Sequence, residues 1–311
     1  MSFQHINPVL AAVAAVLLAS ALYFARNRVS ARPQPLVPDA WKEFPLVKKT
    51  QISHNTAMYV GLYAGLPRTP LTSRRYRFKL PNADDIFNLP IGQHVAISAE
   101  INGKQISRSY TPISSNEDQG YFDLLIKSYE KGNISRHFAQ LSIGDKIRVK
   151  GPKGQFNYRP GLVGHLSMIA GGSGITPMYQ ILRAVLANPA DKTKVSLIYA
   201  NVNPEDILLR SELDKLAQTH AGQFTLYYVL NNPPAPWAGG VGFVTKDHIK
   251  RFLPNPAEGD SKLLMCGTCQ LRVCLPSCPY HKNRSSTHGH CHEVSPLDAF
   301  QVAYSFVQEK P

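Results

Sequence analysis

Cysteine is missing from the first 265 of the 311 residues, and all five fall between positions 266 and 291, so no disulfide scaffold holds the body of the chain together. Charge is sparse: 18% of residues are Asp, Glu, Lys or Arg, too few for a long coiled coil. Acidic residues are in deficit, 21 against 34 basic ones. Yet no long Lys/Arg run is present, which argues against a nucleic-acid-binding tail. The first eight residues hold no Lys or Arg, so the positive start of a cleaved secretory signal is lacking. Position 2 is Ser, which excludes N-myristoylation. What the chain has is 43% hydrophobic residues, enough for ordinary cores, and a length suited to roughly two domains. The positive excess is uneven: residues 41–160 carry 18 positive and 9 negative charges, whereas residues 161–262 carry 9 and 8.

Residues 9–25 form an apolar run softened only by Ser20 and Tyr23. As a helix it reaches roughly 26 Å, the short end of what crosses a bilayer. Arg26, Arg28 and Arg32 follow it, and the positive-inside rule keeps the C-terminal side in the cytosol. Residues 1–27 are therefore expected to be a single-pass transmembrane anchor, with a cleaved signal peptide as the alternative. Residues 28–40, containing Arg-Pro-Gln-Pro-Leu-Val-Pro, are expected to be a Pro-rich linker.

From 41 to 160 the pattern is short strands and tight turns. His94–Ile101 alternates and meets Asn102-Gly103, a hairpin turn. Residues 121–129 form another strand, Lys146–Lys150 alternates strictly, and Ser135–Leu141 is the one short helix. This predicts a small antiparallel barrel, of the six-stranded type. Residues 161–267 read differently. Leu166–Ala170 is an apolar strand that enters Gly171-Gly-Ser-Gly-Ile-Thr-Pro177 and then an apolar-periodic helix, 178–186. Strands at 194–200, 224–230 and 262–265 and a helix at 206–219 complete a βαβ pattern. It predicts a Rossmann-like parallel sheet with a ligand at the carboxyl ends of its strands. The glycine loop alone is weak evidence, since its spacing is not the full dinucleotide fingerprint.

The motifs together are stronger. Arg108-Ser-Tyr-Thr-Pro-Ile-Ser114 resembles the R-x-Y-T-x-x-S flavin motif of the ferredoxin-reductase-like flavoproteins, and Gly151-Pro-Lys-Gly-Gln-Phe156 resembles their G-P-x-G-x-F turn. Gly171–Pro177 resembles their pyridine-nucleotide loop, Met265-Cys-Gly267 the start of their C-terminal motif, and Leu89–His94 sits in the expected place. Within that superfamily the chain resembles the NADH–cytochrome b5 reductases, in their membrane-anchored fungal form, over roughly residues 40–267.

The resemblance implies FAD and NADH as cofactors, with Arg108 holding the flavin pyrophosphate through charge-assisted hydrogen bonds. It places Ser109, Tyr110 and Thr111 at the isoalloxazine, Thr111 being the residue closest to the chemistry, and Ser114 at the end of the motif. Lys127 and Gly132, Asn133, Ile134 and Ser135 correspond to a second flavin contact, where a helix opens at the phosphates. Thr176 is a further contact. Gly171, Gly172, Ser173, Gly174, Pro177, Cys266 and Gly267 correspond to the NADH site. Asp206 resembles an acidic residue near the adenine ribose, which would favour NADH over NADPH by repelling a 2′-phosphate. The implied reaction passes electrons from NADH through flavin to cytochrome b5 in two one-electron steps. Small cytosolic electron carriers, such as those of diphthamide synthesis, are further candidate acceptors. The implied location is the outer mitochondrial or endoplasmic reticulum membrane, with a monomeric, cytosol-facing body and no nucleic-acid partner. No acid–base pair or nucleophile has convincing spacing, so His94, His137 and His165 are read as structural or exposed.

Two stretches depart from the family pattern. Residues 60–76 interrupt what is normally one strand and repeat its Tyr; seventeen codons keep the reading frame, so a retained intron and a genuine hairpin extension both stay open. After Gly267 the family turn, helix and strand are replaced by a Cys/His-rich tail, 268–311. Its cysteine spacings do not form the paired knuckles of a zinc site, so no metal is assigned. A frameshift or missed splice junction explains the break better. The tail is expected to leave the sheet edge uncovered and to lower NADH turnover. The rival readings are a nitrate-reductase-like flavin module, disfavoured because no haem or molybdenum domain precedes the barrel, and a catalytically impaired or dead anchored homologue. The latter would act as a binding protein, with metal binding through its tail.

Overall fold

Burial of apolar strand residues, alternating along 146–153 and nearly continuous along 165–171 and 194–201, organises the chain after residue 34. The computed structural model describes residues 34–55, 71–128, 132–255, 260–267 and 301–303, and the described residues from 35 onward form one compact unit. The apolar run at 9–25, the residues between 56 and 70, and most of the tail lie outside the described residues. Among those described, no helix is long and apolar enough to cross a membrane.

Six antiparallel strands build the first half: β1 (Lys42–Asn55), β2 (Leu71–Lys79), β3 (His94–Ile101), β4 (Lys104–Tyr110), β5 (Tyr121–Lys127) and β6 (Lys146–Lys153). Their order is β4-β3-β6-β1-β2-β5. The sheet rolls so that helix α1 (Asn133–Gln140) meets both of its edge strands. Phe138 of α1 lies 5.7 Å from the Tyr110 ring of β4, and the Ser128 hydroxyl, just past β5, donates to the Ser135 carbonyl at 3.2 Å. The predicted barrel is thus hydrogen-bonded around five seams and plugged by a helix at the sixth. Inside, Phe44, Phe78, Phe87 and Phe122 stack and cross at centroid distances of 4.2–6.1 Å. Each such buried ring contributes roughly 1.5–3 kcal/mol.

The second half is a parallel sheet: β7 (His165–Gly171), β8 (Lys194–Asn201), β9 (Phe224–Leu230), a short β10 (Gly240–Val241), β11 (Ser261–Cys266) and β12 (Gln301–Ala303). The order is β10-β9-β8-β7-β11-β12. Helices α2 (Ile175–Ala187), α3 (Arg210–Thr219) and α4 (Lys246–Phe252) complete it. Both faces of β7 and β8 are buried, which is why those strands read as unbroken apolar runs. On one face Ile169, Ile198 and Val229 pack with Ile249 of α4. On the other, one continuous core joins Ile175, Met178 and Leu182 of α2 to Ile113, Leu125 and Phe156 of the barrel.

Two sequence expectations change and one that was left open is narrowed. Of the two readings kept for 60–76, the pairing of Leu71 with Asn55 and of Thr72 with His54 is that of a hairpin extension. The helix expected from Asp206 is a 3-10 turn, Pro204–Asp206, followed by α3 from Arg210, because Leu209 takes a left-handed conformation (φ 57°) between them. The edge of β11 is not left uncovered: Gln301, Val302 and Ala303 pair in parallel with Lys262, Leu263 and Leu264.

Candidate active site

Strand alternation sets the flavin-motif side chains. Arg108 and Tyr110 stand opposite Ile97 and Val95, on the inner face of the rolled sheet, while Ser109, opposite Ala96, faces the other way. The Arg108 Nη1 donates to the Ser107 carbonyl at 2.9 Å, which holds the guanidinium at the strand edge. Thr111 is buried just past the strand end. The Ser114 hydroxyl accepts from the Asp123 backbone N–H at 3.0 Å. Asp123 is in turn gripped by Arg77 through two bonds of 2.8 Å, an interaction that raises the arginine pKa. That fork fastens the motif's turn to the barrel and was not foreseen from the sequence.

Across the barrel mouth, α1 begins at Gly132 with Asn133, Ile134 and Ser135, the last two buried. Its first turn has no acidic residue and, among the described residues, no side-chain cap. Its N–H groups are therefore suited to phosphate oxygens. At the other end of α1, the Lys49 ammonium donates to the carbonyls of Ala139 and Leu141, both at 2.8 Å, and places a cation at the negative end of the helix dipole. Burial lowers the Lys49 pKa.

The glycine loop runs from β7 through a 3-10 turn, Gly172–Gly174, into α2. Gly174 is forced by proximity: a β-carbon there would lie 2.2 Å from the Cys266 carbonyl oxygen. Gly267 likewise faces the backbone of Gly171 at 3.0 Å. The two motifs, 92 positions apart in sequence, thus pack backbone to backbone at the carboxyl edge of the sheet. Gly172, by contrast, has open space where its side chain would be. Ser173, Thr176 and Pro177 are buried, and the Thr176 hydroxyl donates to the Ser173 carbonyl at 3.3 Å. As at α1, the first turn of α2 lacks acidic residues and a side-chain cap. An open glycine beside a helix start without carboxylates fits a dinucleotide diphosphate, as the barrel mouth fits the diphosphate of FAD.

Lys127 and Asp206 behave differently. They meet at 2.7 Å across the two halves, with side-chain exposures of 12% and 7%. Other ties along this seam were invisible in the sequence. The Gln180 side chain of α2 accepts from the Gly92 N–H at 2.8 Å and donates to the Gln93 carbonyl at 3.3 Å, and Arg183 donates to the Ile113 carbonyl at 3.1 Å. Gly92 itself packs on the Phe156 ring, where a β-carbon would come within 2.4 Å. The histidines stay outside this chemistry. His94 is held to about 4 by burial and the nearby Lys153 charge, and burial lowers His137 and His165, the latter 2.9 Å from the Ser196 hydroxyl. Among the described residues no cluster of His, Cys, Asp and Glu is arranged to hold a metal; the Cys/His tail lies outside them.

A barrel mouth and a glycine loop, each suited to a diphosphate and joined through one continuous core, define a nicotinamide-dependent flavoprotein oxidoreductase. The profile described as "Oxidoreductase FAD-binding domain" matches residues 71–158, and "Oxidoreductase NAD-binding domain" matches residues 168–274. The chain belongs to the NADH–cytochrome b5 reductase family. It is 57% identical over 261 residues to NADH-cytochrome b5 reductase 1 of Laccaria bicolor, covering 84% of this chain and 79% of that protein. It is 50% identical over 269 residues to NADH-cytochrome b5 reductase 1 of Meyerozyma guilliermondii, covering 86% and 88%. Among solved structures, the cytochrome b5 reductase domain of Ulva prolifera nitrate reductase superposes with a TM-score of 0.69 at 34% identity, over 78% of this chain and 94% of that one.

Proposed function

We propose that this oxidoreductase delivers electrons from NADH to cytochrome b5 while anchored by residues 9–25 to a membrane, its body in the cytosol and monomeric. The observation that carries the reading is the shared core that joins α2, which follows the glycine loop, to Ile113 and Leu125 of the barrel, and it supports a common seam for the two cofactors. FAD, when bound, supplies the conversion of one hydride into two single electrons. The chain's own residues bind and orient. Arg108 and the start of α1 neutralise the flavin diphosphate, Tyr110 backs onto Phe138, and the Gly171–Gly174 loop admits the dinucleotide to the carboxyl edge of β7. The anchor is supported by the apolar run and the arginines after it, which suit either the outer mitochondrial or the endoplasmic reticulum membrane. Purified full-length protein in detergent should be yellow and should reduce cytochrome b5 with NADH. A colourless protein, or one that NADH cannot reduce, would support the dead-homologue alternative.

A further inference from the structure

Asp206 resembles the family's ribose-side carboxylate in sequence, but its surroundings are those of a structural ion. Both carboxylate oxygens are occupied: Oδ1 by the Lys127 ammonium at 2.7 Å, Oδ2 by the backbone N–H and side-chain amide of Asn203 at 3.0 and 3.1 Å. Only 6% of the residue is exposed. A carboxylate that three internal donors already serve, and that solvent barely reaches, has little left to offer a ribose hydroxyl.

The neighbours of the pair show what it joins. On the barrel side, Lys127 ends β5, and the next residue, Ser128, bonds the Ser135 carbonyl in the first turn of α1. On the sheet side, Asp206 ends its 3-10 turn two residues before Leu208. The Leu208 N–H donates to the Tyr199 hydroxyl at 3.2 Å, and that hydroxyl donates to the Gly172 carbonyl at 2.9 Å. The ion pair therefore closes a chain of contacts from the helix start at the barrel mouth to the glycine loop. A buried pair of this kind is costly to break on one side only, because the remaining charge is left without its partner.

We propose that Lys127 and Asp206 form an interdomain clamp that fixes the barrel mouth relative to the glycine loop. Asp206 is then a positioning residue for hydride transfer, not a selector of the dinucleotide. The inference rests on the FAD and NADH reading of the two halves.

The test uses Asp206→Asn, Lys127→Met and the double variant, with Lys127→Arg as the conservative control, all in the flavin-loaded full-length protein. ADP-ribose is the calorimetric probe, since it carries the adenine ribose but no nicotinamide. The expected result for Asp206→Asn is unchanged ADP-ribose affinity and FAD content, with NADH-driven flavin bleaching slowed by about tenfold or more, as loss of alignment costs on that scale. In the double variant the second change should add less than about threefold, because the partners act as a unit. Lys127→Arg, which keeps the cation, should keep the unfolding midpoint and lose less rate than Lys127→Met. A clear loss of ADP-ribose affinity in Asp206→Asn, with relative gain for NADPH, would return Asp206 to the role of selector and overturn the clamp. Additive losses in the double variant would overturn it as well. If wild-type protein is not bleached by NADH at all, the functional reading fails instead, and the clamp is then decided by the same double-mutant cycle on unfolding midpoints.

Discussion

Arg108 is useful because of what lies opposite it. Its partner across the ladder is a core isoleucine, so strand alternation turns the guanidinium inward, to a rim where a diphosphate would otherwise be unneutralised. Arg108→Ala should weaken FAD retention by roughly tenfold or more, since charge-assisted hydrogen bonds are worth about 1.5–3 kcal/mol. Flavin absorbance of the purified variant, before and after dialysis, checks this; full occupancy would refute it. His94 makes a second residue-scale prediction. Burial holds its imidazole to about 4, below the ordinary 6.5. Below pH 6.5 the unfolded chain takes up a proton that the folded chain refuses, so stability is lost as pH falls from 6.5 towards 4. By pH 5 the loss attributable to this group is up to about 2 kcal/mol. Urea unfolding at pH 7 and pH 5 should show a difference that shrinks in His94→Gln. An equal acid loss in both proteins would count against the assignment.

The glycine loop and the Cys-Gly turn are legible as separate signals, but only the folded elements show that each needs the other's backbone. Gly174→Ala places a β-carbon on the Cys266 carbonyl, and overpacking of this kind costs about 1–3 kcal/mol. A lowered melting point together with weaker ADP-ribose binding is expected, and an unchanged melting point would show that the turn after β11 yields. The strands β3, β5 and β6 and the sheet β7–β8–β9 could be read from alternation and apolar runs, because local periodicity reports burial directly. Their motifs likewise mark where the barrel mouth and the glycine loop fall along the chain. Other features carried no such period. β10 is two residues long, and α4 starts at a Thr245 whose hydroxyl accepts from the His248 N–H at 3.3 Å, a cap with little apolar repeat behind it. The seam ties of Gln180, Arg183, Lys127 and Asp206 are long-range by nature: the first links residues 88 apart, and a lone polar residue in a helix gives no hint of its partner. The covered edge of β11 was missed because its partner strand is only three residues, stranded in a tail that otherwise departs from the family.

At the scale of the molecule, charge and mechanics divide between the halves. The barrel carries a net +9 of the chain's +13, with Lys146 and Arg148 exposed on β6 and Arg148 and Lys150 drawn over the Trp41 ring at 5.6 and 6.0 Å. If an acidic acceptor docks there, cytochrome b5 reduction should slow several-fold as ionic strength rises from low to physiological, on the order expected for steered association. The double variant Lys150→Glu/Lys153→Glu should flatten that dependence, whereas a rate insensitive to salt in the wild type would reject the surface. The β1–β2 hairpin has a different kind of consequence, for how such a chain can change over generations. Asn55 and Leu71 are partners on one rung, so the two ends of the intervening stretch sit side by side at the end of the hairpin. Closing a loop of twice the length costs only about 0.6 kcal/mol more. The hairpin end is thus a position where the gene can gain or lose whole codons with almost no thermodynamic penalty to the enzyme. Selection on the fold alone would scarcely notice a change of length between Asn55 and Leu71, so the chain can vary there while the paired strands on either side stay in register.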